Sequence, residues 1–184
     1  MTLTPIILSS TDGVSWVQRE PGISATNTSL LAITYGDGQF VAVAGTYFSY
    51  SRDCCYPRGG VIVTSNDGVQ WTERLDASTE FDSIGPVVSI AFGNGQYVAL
   101  ARSGLILSSH DAVNWVQRPS GAQAGLLHGV AYGGGYFVAV GGQGEILQSG
   151  SIVSLTVASK PGTDLLTLWR VRAALLARSR VRRI

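Results

Sequence analysis

Short aliphatic runs, each closed by a polar turn, recur along the chain as far as Ser159. Ile6-Ile7-Leu8, Val61-Ile62-Val63 and Leu105-Ile106-Leu107 lead into three related turns. These are Ser10-Thr11-Asp12-Gly13-Val14-Ser15-Trp16, Ser65-Asn66-Asp67-Gly68-Val69-Gln70-Trp71 and Ser109-His110-Asp111-Ala112-Val113-Asn114-Trp115. Each continues into a polar-alternating stretch, twice as Trp-Val-Gln-Arg. This pattern predicts strand, tight turn, strand. The Asp carboxylate is expected to accept the turn's own N–H groups, and Gly to take the positive φ. The Trp provides an apolar plate that holds the turn on its neighbour. Ala112 stands where the other copies have Gly, so that turn is expected to differ slightly.

A second unit lies between the Asp turns. Residues 31–43, 88–100 and 127–140 each read as two apolar strands around Gly36-Asp37-Gly38, Gly93-Asn94-Gly95 or Gly133-Gly134-Gly135. One full unit therefore has four strands, in order A, B, C and D. Asp67 and Asp111 are 44 residues apart, and Asp12 and Asp67 are 55 apart. An insertion over residues 46–58, between B and C, explains most of the longer step. Four strands in about 40–45 residues is the period of a β-propeller blade. The predicted class is all-β, with about three to three and a half antiparallel four-stranded blades per chain. Small Ala and Gly residues in A and B let blades pack closely. A C strand near Ile146 and a D strand within residues 152–157 would finish the last blade.

These turns resemble the Asp-box (BNR) repeats of sialidase-like β-propellers, over roughly residues 6–150. One departure is that Asp and Gly adjoin here, where the family's box has a residue between them. The resemblance implies that Asp12, Trp16, Asp67, Trp71, Asp111 and Trp115 serve the fold and not catalysis.

Composition supports a turn-dense β protein: 45% of the 184 residues are apolar, 14% are charged and 23 are Gly. The net charge of +1 hides an asymmetry. Through Ser159 six arginines face eleven acids; beyond it six arginines and Lys160 face Asp164 alone. The expected division is a partial propeller over residues 1–159 and a basic tail over 160–184. Lys160-Pro161-Gly162 breaks the pattern, and Thr163 or Asp164 can cap a helix from Leu165. Trp169, Arg170, Arg172, Arg178, Arg180, Arg182 and Arg183 are the tail's docking candidates. The arginines do not gather on one helical face, which argues against a membrane surface. The expected partner is the acidic surface of its own or a neighbouring subunit. Nucleic acid ranks behind it, because no reading helix or stacking platform accompanies the charge.

Three and a half blades leave apolar faces and strand edges open, which invites association. The expected partner is a second copy, with C and D of one chain completing A and B of another, or a different subunit. An N-terminus that reads straight into a strand shows no signal peptide, so synthesis in the cytoplasm is expected. An open blade set with a basic tail fits a component of a larger assembly such as a phage virion.

No catalytic, cofactor or metal pattern is expected. Arg19, Arg74 and Arg118 recur three residues after each Trp, which assigns them to the blade. His110 and His128 stand alone. Adjacent Cys54 and Cys55 read as free thiols, a vicinal disulfide or a bridge to another chain. The candidate binding element is the insertion, where Tyr47, Phe48, Tyr50, Arg52, Tyr56 and Arg58 have hot-spot composition. The first reading is a non-enzymatic, self-associating binding scaffold. A glycan-binding, lectin-like propeller is the alternative, and a sialidase-like relic the second alternative.

Overall fold

The computed structural model describes residues 5–24, 27–51, 54–76, 84–122, 127–149 and 155–157. Strands β1 (Ile7–Ser9) and β2 (Val17–Arg19) form a two-stranded sheet. Three four-stranded sheets follow. The first holds β3 (Thr28–Gly36), β4 (Gln39–Ser51), β5 (Cys54–Ser65) and β6 (Thr72–Asp76). The second holds β7 (Val87–Gly93), β8 (Gln96–Ala101), β9 (Leu105–Ser109) and β10 (Val116–Pro119). The third holds β11 (Leu127–Gly133), β12 (Tyr136–Gly141), β13 (Ile146–Ser149) and β14 (Leu155–Val157).

Every sheet is an antiparallel meander in chain order. Sequential hairpins with turns this short leave no other order open to the strands. The first strands of successive sheets, β3, β7 and β11, lie beside one another. The sheets therefore succeed one another as blades of a partial β-propeller, with β1–β2 as a half-blade before the first full one. β14 takes the D position of the last blade, so that blade is finished within the chain.

Side-chain alternation along the B and C strands builds the blade interfaces. Ala42, Ala44, Val61 and Val63 pack toward the half-blade, together with Ile7 and Trp71. On the other face Val41, Val43 and Ile62 meet Ile90, Tyr97, Ala99, Ala101 and Leu107 of the next blade. Val98, Leu100 and Ile106 then meet Leu127, Ala139 and Leu147 of the last. Along the B strands alanines face backward and Val or Leu forward, which lets the blades nest. Gly60 shows how tight the fit is: a Cβ there would lie 2.5 Å from Val87 Cγ2.

Two expectations need correction. The insertion over residues 46–58 is not a loop: β4 and β5 continue through it as a paired ribbon, with Tyr47 opposite Pro57 and Phe48 opposite Tyr56. Its alternating aromatic residues favour strand as well as contact. The Ala112 turn is not different either. Ala112 takes φ +60°, beside +74° at Gly13 and +70° at Gly68, and its N–H donates the same hydrogen bond to the turn's Ser. Burial of its methyl group in the core offsets the left-handed strain.

Candidate binding site

The three Asp turns are wider than the sequence suggests. Each spans seven residues between paired strand ends, as Ser9 opposite Val17 and Thr64 opposite Thr72 show. A shared network closes them. Asp67 Oδ1 accepts Val69 N–H and Gln70 N–H at 2.8 Å each and the Ser65 hydroxyl at 3.0 Å. Ser65 Oγ in turn accepts Gly68 N–H at 2.9 Å. Asp12 repeats this with Val14, Ser15 and Ser10. Asp111 repeats it with Val113, Asn114 and Ser109, and adds the Asn114 amide on its second oxygen. The donors facing each carboxylate hold all three below the usual range. The largest contributor is the N–H of Ser15 for Asp12, of Gln70 for Asp67 and of Asn114 for Asp111. The carboxylates are used up by their own turns, so they serve the fold.

The Trp residues divide by position. Trp71 is buried against the half-blade, and Trp115 packs on the core between the first two full blades. Trp16, for which no earlier blade is among the described residues, is 58% exposed. The repeated arginines also serve the blades. Nε of Arg19, Arg74 and Arg118 donates across the C–D pair to Ser9, Thr64 and Ser108, at 2.9, 2.9 and 3.3 Å. His110 and His128 are both exposed. Among the described residues no three His, Cys, Asp or Glu side chains gather as a metal site.

The ribbon of β4 and β5 is the feature that sets the first full blade apart. Thr46 pins its base: its hydroxyl accepts Gly59 N–H at 2.9 Å and donates to Gly59 C=O at 3.1 Å. Beyond that point the register places Ser49 opposite Cys55 and Ser51 opposite Cys54. Tyr47, Phe48, Tyr50, Tyr56 and Arg58 are thus positions on one ribbon, at the B–C end of the blade. Arg52 lies outside the described residues, as do the tail candidates Trp169, Arg170, Arg172, Arg178, Arg180, Arg182 and Arg183. The Asp turns and Gly-x-Gly hairpins occupy the opposite rim, where Gln39 Nε2 donates to Asp111 C=O across the blade boundary at 3.3 Å.

A contact that sequence reading missed joins the blades near the axis. Each A strand ends in an aromatic residue followed by Gly: Tyr35-Gly36, Phe92-Gly93 and Tyr132-Gly133. The Phe92 ring covers Gly36, and the Tyr132 ring covers Gly93. A Cβ on Gly36 would lie 2.1 Å from Phe92 Cγ, and one on Gly93 would lie 2.0 Å from Tyr132 Cγ. Each ring also tilts against its own B strand, in the pairs Tyr35–Phe40, Phe92–Tyr97 and Tyr132–Phe137, with centroids 4.7, 4.6 and 4.8 Å apart. The aromatic-Gly dipeptide recurring at one repeat position was the available signal.

Among the described residues both ends of the arc are left open. On the half-blade side Leu31, Ile33 and Tyr35 of β3 are exposed, Tyr35 by 59%. On the other side Val140 and Ile146 are exposed by 47% and 43%, although their counterparts Val43, Leu100, Ile62 and Ile106 are buried.

No family model matches the chain, and no curated protein matches it. Among solved structures, the crystal structure of a nidogen/laminin complex is similar over 83% of this chain and 54% of that one, at 13% identity and a TM-score of 0.54. A structure from the GH130 family of mannoside phosphorylases, which contains glycoside hydrolases that target β-1,2 mannosidic linkages in Candida mannan, covers 79% of this chain and 51% of its own. Its identity is 13% and its TM-score 0.39. The fold is a β-propeller. The chain spans about half the length of the propeller chains it matches.

Proposed function

We propose that this chain is a non-enzymatic β-propeller scaffold that binds other proteins, first among them further copies of itself. The observation that carries this reading is the state of its two ends. Val140 is exposed by 47% where its counterparts Val43 and Leu100 are buried, and Tyr35 by 59% against 36% at its counterpart Tyr132. Exposed apolar sheet faces of this kind favour burial against a partner. The described polar clusters are engaged in turn and strand geometry, which supports binding over chemistry. The similar nidogen/laminin structure is itself a complex between proteins, in keeping with a propeller that binds protein. A component of a larger assembly, such as a virion, is the setting that suits an unfinished arc with a basic tail.

Light scattering on the full chain tests this directly. Assembly gives a mass of at least twice 19.4 kDa at micromolar concentration, while a stable species of 19.4 kDa contradicts it. Removing residues 160–184 is expected to weaken assembly and leave the full blades folded.

A second reading follows from the ribbon, whose Tyr-rich positions suit stacking on a sugar ring as well as on a protein. Binding on a glycan array that is lost in Tyr47→Ala and Tyr56→Ala would favour it.

A further inference from the structure

Two ring-on-glycine contacts are made inside the chain, and the parts of a third are left over at its ends. Tyr35 is a ring with no glycine before it. Gly133 is a glycine with no ring after it: among the described residues nothing lies within 4 Å of where its Cβ would be. Gly36 and Gly93, at the same repeat position, are each covered by an aromatic ring. The leftover ring and the leftover notch are the two halves of one repeated contact. Among the described residues no full blade packs beyond either, so a second copy can join them.

The outer strands carry the same information. Leu8 on β1 aligns with Val63, Leu107 and Leu147, which are fully or almost fully buried, yet Leu8 is 53% exposed. Ile7, itself buried, aligns with the buried Ile62 and Ile106 and with the exposed Ile146. β1–β2 is thus a C–D pair with no A–B pair of its own. The last blade fills its C–D position with β13 and β14, whose sequence has Ser151 where the other turns have Asp12, Asp67 and Asp111. Glu145 there replaces the apolar residue found at Ile6, Val61 and Leu105.

Building on the self-association proposed above, we infer that Tyr35 of one copy seats on Gly133 of a second. β1–β2 of the first then lies beside β12 of the second, in the place of β13–β14. Leu8 takes the position of Leu147, opposite Ala139, and Ile7 takes that of Ile146, opposite Val140. The exchange covers Leu8, Ile33, Tyr35 and Val140 at once. Each chain then contributes three blades, and two chains close one ring.

Gly133→Leu is the decisive variant. Its Cβ meets nothing in the lone chain and its φ is not in the left-handed region, so the blades fold; in the junction it collides with Tyr35. The expected result is assembled wild type and a 19.4 kDa Gly133→Leu species of unchanged circular dichroism. A monomeric wild type overturns both the junction and the self-association behind it. A Gly133→Leu protein that still assembles overturns the junction and leaves self-association standing. Cross-linking gives an independent test that does not rely on that variant folding. In a Cys54→Ser, Cys55→Ser background, Tyr35→Cys is mixed with Gly133→Cys. In the internal contacts a Cβ on the glycine lies 2.0–2.1 Å from the partner's Cγ, one bond from the partner's Cβ, so the two positions are close enough for a small backbone adjustment to form a disulfide. A link that forms only in the mixture supports the junction, and its absence at assembling concentrations refutes it.

Discussion

The ring of Phe92 lies over Gly36, so close that a methyl group on Gly36 would fall 2.1 Å from the ring's Cγ. A side chain there has no room unless the two blades part. Gly36→Ala and Gly93→Ala should each destabilise the chain by about 1–3 kcal/mol in urea unfolding, the usual range for overpacking. Gly133→Ala, at the open end, should leave the denaturation midpoint of the lone chain unchanged. Equal losses at all three positions would remove the distinction between filled and open contacts.

Tyr97 ties the same two blades together from the B strand. It is fully buried, its hydroxyl donates to the Gly36 carbonyl, and burial holds its phenol above the usual range. Phe40 and Phe137 occupy the matching position without a hydroxyl. Tyr97→Phe removes this donor from a buried carbonyl, at a cost of about 0.5–1.5 kcal/mol. Thermal or urea unfolding checks this, and an unchanged midpoint would show that the bond contributes nothing net.

The blade repeat was legible because two turn chemistries alternate at fixed positions, one around Gly-x-Gly and one around Ser-x-Asp. Even the strand after Ser149 was readable from its apolar residues, and it appears as Leu155–Val157. The ribbon was not. Its Tyr, Ser and Cys residues looked like a loop because β pairing depends on a partner strand as much as on composition. The left-handed Ala112 was also hidden. Residue identity alone disfavours that conformation, and only the buried site of its methyl group offsets the strain. The ring-on-glycine junctions needed the blades placed side by side before their meaning was visible.

Ala112 and Gly68 make a matched pair of opposite substitutions. Gly68→Ala keeps the turn at a left-handed φ, with its methyl in ordinary contact with the Phe40 ring at 3.5 Å, and should cost about 1 kcal/mol. Ala112→Gly relieves that strain, loses a buried methyl worth about 0.8 kcal/mol and frees the unfolded chain. It should fall within about 0.5 kcal/mol of wild type on the same scale. A large loss at Ala112→Gly would mean that packing, and not φ, dominates this position.

The three Asp turns set an acid limit on stability. Their carboxyls are held below the usual range when folded, so the unfolded chain binds protons more readily. The resulting stability is fully present above about pH 4, the ordinary Asp value, and is lost as pH falls through the lowered folded values. Asp12→Asn, Asp67→Asn and Asp111→Asn combined keep an accepting oxygen in each turn and remove the titration. The melting temperatures of wild type and this variant should converge between about pH 4 and pH 2. Parallel curves would show that the turn carboxylates do not govern the acid transition.

Small-angle X-ray scattering on the assembled protein tests most directly whether the blades belong to a ring that one chain leaves unfinished. The expected profile is that of a flat, closed particle with a depleted centre, holding a whole number of chains. A profile fitted by a single open arc, at concentrations where every other probe finds the chain folded, would contradict the account.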